Sequence, residues 1–213
     1  MRTADSITLL RTLLVIPVAY AILVKFSPAL VVLAIAIIFL SDALDGYAAI
    51  REASRGSIGF LDYIKGEALG NSGMHRRIAR LKPLLKRHAR YGARIDVAGD
   101  RATEYIFWIV FIYTGIVPLF ILFLIVLRHS FVDGLMGQKG TSSRMRSRFA
   151  QAIYSSPAGR SGVGALKAIT FSYLSLVYML KYPAIIGYVL VALLFAYIMI
   201  RGLAEIHDSI QKH

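Results

Sequence analysis

Residues 28–50 read PALVVLAIAIIFLSDALDGYAAI, an uncharged apolar run to Leu40 that closes on Asp42, Asp45 and Gly46. About 20 mostly apolar residues carry a helix across a bilayer. A stretch of this kind therefore predicts a membrane span with two carboxylates at its end. Working outward, similar runs cover 7–26, 95–114, 115–135, 163–181 and 183–203. Tight turns at Gly115–Pro118 and Lys181–Pro183 make antiparallel hairpins of the third and fourth, and of the fifth and sixth. The expected fold class is all-α: a polytopic bundle of six transmembrane helices, one membrane domain over 1–213 with a basic insertion at about 52–91.

Composition points the same way. Hydrophobic residues make up 57% of the 213, against about 45–50% in a soluble domain. Lys and Arg outnumber Asp and Glu 25 to 12. Of these 25 basic residues, all but Lys25 and Lys181 fall on one side: towards the chain ends, or in the stretches from Arg51 to Arg101 and from Arg128 to Lys167 that contain the two long loops and the adjoining span ends. The positive-inside rule then predicts that the N- and C-termini and both loops face the cytoplasm. A basic chain can also bind nucleic acid, but that needs a soluble basic face, and the long apolar runs argue against a nucleic-acid partner. Zero cysteines exclude disulfides, zinc–thiolate sites and cysteine nucleophiles. Arg11 interrupts the first apolar run and no small-residue cleavage site follows, so that segment is expected to stay as a membrane helix.

The loops differ in character. Ile78, Leu81 and Leu85 recur at helical spacing among Lys and Arg, a pattern suited to a short helix on an anionic membrane surface or to a solvated basic loop. Pro83 would kink it or begin a turn. Residues 137–164, rich in Gly, Ser and Arg, read as a flexible connection.

Acidic residues carry the chemistry. Asp42 and Asp45 are spaced i, i+3, and Asp96 and Asp100 are spaced i, i+4, so each pair shares a helix face. A carboxylate at membrane depth costs about 2.5–3.5 kcal/mol on insertion scales. If these two helix ends pack together, their oxygens converge and repel unless divalent cations sit between them. All-oxygen ligation fits Mg²⁺ or Mn²⁺, with Ca²⁺ also compatible. Two ions about 3.5–4 Å apart form the clamp used in phosphoryl displacement. The plainer reading is helix-end salt bridging to Arg51, Arg94 or Arg101. Gly46, Ala49 and Gly92 add small surfaces beside the aspartates, which let a backbone or flat ligand come close.

These residues resemble the CDP-alcohol phosphotransferase family, whose pattern is D-x2-D-G-x2-A-R followed by G-x3-D-x3-D. The chain reads Asp42-Ala-Leu-Asp45-Gly46-Tyr-Ala-Ala49, then Gly92-Ala-Arg-Ile-Asp96-Val-Ala-Gly-Asp100. Thr8 and Arg11 are similar to the family's N-terminal T-x2-R, and the six-helix count agrees. The resemblance implies that Asp42, Asp45, Asp96 and Asp100 ligate two Mg²⁺ or Mn²⁺ ions and that Asp100 is the general base. The implied reaction moves a phosphatidyl-type group from a CDP-linked lipid donor to a polar or phosphorylated alcohol acceptor, releasing CMP. Thr8, Asp42, Gly46, Ala49, Arg51 and Gly92 would bind the nucleotide. Two departures stand out: Ile50 occupies the motif's arginine position, one residue before Arg51, and the 51–91 spacer is long. Insertion at a surface loop is thermodynamically cheap.

Among the basic residues of the second loop, Arg128 and Lys167 flank apolar helices and are the expected contacts of a phosphorylated acceptor such as glycerol phosphate or inositol phosphate. Membrane lipids are the other expected partners, and a homodimer follows only by family analogy. Three rival readings compete with this one. A divalent-cation transporter or channel explains intramembrane aspartates but not their clustering at one face beside two glycines. A prenyltransferase with Asp-rich motifs would need more helices. A non-catalytic membrane-surface adaptor leaves the aspartates without a role.

Overall fold

The computed structural model describes residues 3–67, 73–78, 80–81, 92–136 and 157–210. Among these, the ordered elements are all helical: α1 Thr3–Leu23, α2 Pro28–Ala53, α3 Phe60–Glu67, α4 Gly92–Tyr113, α5 Leu119–Met136, α6 Pro157–Leu180 and α7 Ala184–Ile210. Residues 73–78 are helical as well.

Proline and left-handed residues punctuate the helices. Pro28 opens α2 after an extended Ser27; a missing N–H costs nothing in the first turn. Lys25 at φ 51° turns the chain out of α1, so that helix ends at Leu23 rather than continuing to 26. Gly115 at φ 75° and Lys181 at φ 61° make the corresponding turns after α4 and α6. At the end of α2, Arg55 and Gly56 both take positive φ, and the Gly56 N–H donates to the Arg51 carbonyl at 2.9 Å. That bond satisfies a terminal carbonyl in the manner of a left-handed helix cap.

Among the described residues, four segments are long and apolar enough to cross a membrane by length and composition: Asp5–Leu23, Pro28–Ala53, Gly162–Leu180 and Ala184–Asp208. α4 and α5, where two further spans are expected, are not among them. α4 carries Asp96, Asp100, Arg101 and Glu104 in its first half. The outer faces are nonetheless apolar along the long helices: Leu13, Leu40, Phe120, Phe131, Ile185 and Leu203 are all exposed.

Helix packing closes a ring. α1 packs on α2 and α4, α2 on α6, α6 on α7, α7 on α5, and α5 returns to α4. Aromatic side chains fill its centre. Phe107, Trp108 and Phe111 of α4 and Phe171 of α6 are fully buried, and the Phe171 ring lies 5.0 Å from Phe107 and 5.2 Å edge-on from Trp108. Phe39 of α2 completes the cluster at 6.0 Å from Phe107. Aromatic pairs at such separations contribute about 0.5–1.5 kcal/mol each beyond the area they bury.

Charge is sorted to one end of this ring. Arg11, Asp96, Asp100, Arg128, Lys167 and Glu205 gather there through ion pairs between helices. The opposite end holds the three tight turns. There Lys25 lies over the Tyr178 ring at 4.8 Å, and the Tyr178 hydroxyl donates to the Leu23 carbonyl at 3.5 Å.

Part of the 52–91 insertion folds back on the charged end. Ile58 and Ile78 are buried against Ile50 of α2, with Tyr63, Met74 and Leu81 around them. The apolar face expected to lie on a membrane surface is thus turned inward at Ile78, where a partner surface was already available. Pro83, Leu85 and residues 137–156 lie outside the described residues.

Close approach demands glycine at one interface. A Cβ on Gly202 of α7 would collide with Arg128 of α5, meeting Nε and lying 2.6 Å from Cγ. Gly134 has open space around it. Gly202→Ala is expected to lower stability by about 1–3 kcal/mol through overpacking. Gly134→Ala should gain up to about 1 kcal/mol of helix propensity. Thermal unfolding in detergent checks the pair, and equal shifts would remove the packing role given to Gly202.

Candidate active site at the charged end

The site begins with a short stretch of α4. Asp96 and Asp100 are one turn apart on one face, and α1 supplies the cation between them. Arg11 Nη2 donates to Asp100 Oδ1 at 2.9 Å and stands 3.8 Å from Asp96 Oδ1. The Arg11 side chain is 3% exposed, whereas those of Asp96 and Asp100 are 51% and 40% exposed. The guanidinium is thus sunk in the helix interface while the carboxylates face outward. A charge-assisted bond of this length is roughly twice as strong as a neutral one.

Gly99 makes the approach possible. A Cβ there would stand 2.8 Å from Thr8 Cγ2 and 2.8 Å from Thr12 Oγ1 of α1. Small residues let helix backbones come close, and here that closeness delivers Arg11 to the acidic face. Thr8 is buried in the same contact. Arg11 therefore does more than complete a sequence motif, and Gly99 is a residue that the sequence reading passed over. Its only sequence signal is a glycine inside a helix, between two aspartates.

α2 reaches the same end. Phe39, one turn before Asp42, stacks near Phe107, two turns beyond Asp100. Asp42 and Asp45 belong to α2, but their side chains lie outside the described ones. Gly46 faces the insertion: a Cβ on it would meet the Tyr63 hydroxyl of α3. Tyr47 packs edge-on to Phe60 at 5.2 Å and tilted to Tyr63 at 5.9 Å. Ala49 is half-buried, and Gly92 opens α4 with its surroundings outside the described residues. Arg51 is exposed and lines a groove with Ile7, Leu44 and Tyr47.

Deeper in the ring lies a second charged layer. Glu104 is eight residues beyond Asp96, about 12 Å along the helix. It is 1% exposed and takes a 2.6 Å hydrogen bond from Lys167 Nζ of α6. Trp108 Nε1 donates to its other oxygen at 3.3 Å. Arg101 grips Asp133 of α5 with two nitrogens, at 3.1 and 3.2 Å. Its third nitrogen meets His129 Nε2 at 3.0 Å. Arginine can only donate, so Nε2 accepts and the ring proton sits on Nδ1, directed to the Tyr105 hydroxyl at 3.0 Å. Arg128 donates to Glu205 Oε2 at 2.8 Å, both side chains nearly buried. The two cations expected to meet an acceptor phosphate, Arg128 and Lys167, thus each hold a buried glutamate from another helix.

Among the described residues, no three His, Asp or Glu side chains form a metal-ligand group. What is described of the expected acidic set is the Asp96–Asp100 half, with its carboxylates open to one side. Compared with known proteins, the chain matches no family model, no curated protein and no solved structure.

The Glu104–Lys167 pair gives a direct test of the deep layer. Removing one member of a buried pair strands a charge and costs about 3–5 kcal/mol, whereas replacing both with apolar groups is often neutral. Lys167→Met is expected to be strongly destabilising, and Lys167→Met with Glu104→Leu to recover most of the loss in denaturant unfolding. A double variant as unstable as the single one would show that the pair is not the source of the effect.

Proposed function

We propose that this chain is a membrane-embedded CDP-alcohol phosphotransferase. It moves a phosphatidyl-type group from a CDP-linked lipid to an alcohol and releases CMP. The observation that carries the reading is the pairing of Asp96 and Asp100 on one open face of α4, fixed by buried Arg11, at the end of the ring to which α2 brings Asp42, Asp45 and Gly46. Six spans, with the charged end cytoplasmic, complete the proposal. It is supported by the exposed apolar faces of α4 and α5, including Ile109, Phe123 and Leu127. The basic excess of the two long loops gives the orientation.

The donor set suits hard divalent cations. Arg11 bonds to Asp100 and stands 3.8 Å from Asp96, and both carboxylates remain 40–51% exposed, within reach of a ligand from outside. Asp42, Asp45, Asp96 and Asp100 would hold two Mg²⁺ or Mn²⁺ ions, which when bound neutralise the donor diphosphate. Gly46, Ala49 and Gly92 leave room for the nucleotide. Asp100 accepts the proton of the acceptor hydroxyl. That oxygen bonds to the lipid-bearing phosphorus as the bond to the CMP phosphate oxygen breaks, and CMP departs with the electron pair. Arg11 fixes the rotamer of Asp100 for this task, because the 2.9 Å bond ties one carboxylate oxygen to a buried anchor.

Purified protein supplied with Mg²⁺ or Mn²⁺, a CDP-linked lipid and an alcohol is expected to release CMP, and chelation should abolish release. Loss of a general base typically costs about 10²–10⁴-fold in rate, the loss expected for Asp100→Asn. Normal turnover in that variant would overturn the base assignment. Metal flux through liposomes without CMP formation would replace the enzyme by a cation transporter. An acceptor panel of inositol, glycerol and their phosphates reads out which alcohol the site takes.

A further inference from the structure

On its outward side α2 carries a continuous stripe. Leu33, Ile37, Leu40 and Leu44 are all exposed, spaced by three or four residues and therefore on one helix face. Continuing along that face, the character changes within about 10 Å of helix. Tyr47, Arg51 and Arg55 follow, and between α2 and Ile7 of α1 they border a groove of about 600 Å³. Glu52 also lines it. This volume falls within the roughly 300–1,000 Å³ common for ligand sites. Arg51 lies five residues past Gly46, about 140° round an ideal helix. The groove thus opens away from the contact between Gly46 and Tyr63.

We propose that this groove is a binding site for an anionic phospholipid, beside the acidic site and sharing with it Arg51, which the family resemblance counts among the nucleotide contacts. Its phosphodiester sits between Arg51 and Arg55, and its acyl chains lie along the Leu33–Leu44 stripe. Three features fix the occupant. Apolar stripe and cationic rim are continuous, so a ligand filling both must be amphiphilic and long. Two arginines and one glutamate leave the lining with one net positive charge, matched by a single phosphodiester. Tyr47 stands at the changeover from apolar to charged, the level at which aromatic rings settle against headgroups. A soluble phosphate would use the rim and leave the stripe unused. The site depends on the chain lying in a membrane and stands whether or not the acidic cluster is catalytic.

Arg55 offers a variant that spares the fold. Its φ of 51° suits glycine better than arginine, so Arg55→Gly relieves the backbone while deleting the charge. The test is native mass spectrometry of the detergent-solubilised chain with phosphatidylglycerol, phosphatidylcholine or glycerol 3-phosphate. The wild type is expected to retain phosphatidylglycerol over phosphatidylcholine, and Arg51→Gln with Arg55→Gly to weaken that retention about tenfold, with the thermal midpoint unchanged. Equal retention of the two lipids, retention undiminished in the double variant, or displacement of the lipid by glycerol 3-phosphate would each overturn the proposal. Because the readout is lipid retention, a failed CMP assay leaves it intact, and its own failure leaves the catalytic reading intact.

Discussion

A guanidinium held inside a helix interface must find carboxylates, and the burial of Arg11 between α1 and α4 sets that requirement at the charged end. Its partners, Asp96 and Asp100, fix the rotation of α4 about its own axis. Once that face is turned to α1, the face bearing Phe107, Trp108 and Phe111 is turned to the ring centre. The same rotation brings Glu104 to Lys167 and Arg101 to Asp133. One ion-paired contact, made possible by the missing side chain at Gly99, thereby orients the helix that touches the most chemistry.

The charged pairs do not act as independent surface bridges, which are worth little singly. Each links two different helices: α1 to α4, α4 to α5, α4 to α6 and α5 to α7. Three are at least partly buried, so their loss leaves a charge where water is scarce. Neutral replacement of both members is tolerable, while replacement of one is not. This asymmetry gives the ring a specific register, because a sliding or rotated helix would strand several charges at once. The aromatic centre supplies attraction, and the ion pairs select which faces receive it.

Much of the helical framework was legible in the sequence. Apolar runs and the turn residues at 115–118 and 181–183 marked the long helices within a few residues, because helix length and proline position are local properties. The partners of the charges were not legible. The plainer alternative to metal ligation names Arg51, Arg94 or Arg101, all near the aspartates in sequence, and does not foresee that α1 brings Arg11 to Asp96 and Asp100 from 89 residues before Asp100. Arg11 stands out locally as a charge inside the first apolar run, but nothing local names its partner. The glutamates that Arg128 and Lys167 hold lie 77 and 63 residues away, beyond the reach of any local pattern. The folded-back insertion escaped for a similar reason: Ile50, Ile58 and Ile78 are isolated apolar residues until they meet. As to the site, spacing put Asp96 and Asp100 on one face because helix periodicity is a local rule, and that face is the one Arg11 meets.

Those long separations also govern how the chain is assembled as it emerges from the ribosome. Arg11 is made 89 residues ahead of Asp100, Glu104 waits 63 residues for Lys167, and Arg128 waits 77 for Glu205. A buried charge without its partner is costly, so each early helix does best to leave its charge in contact with water until the counter-charge is synthesised. Closure of the ring is therefore a late event, completed only when α7 delivers Glu205. A nascent chain stalled before that helix would be an open, charge-frustrated fragment and a natural target for quality-control proteolysis.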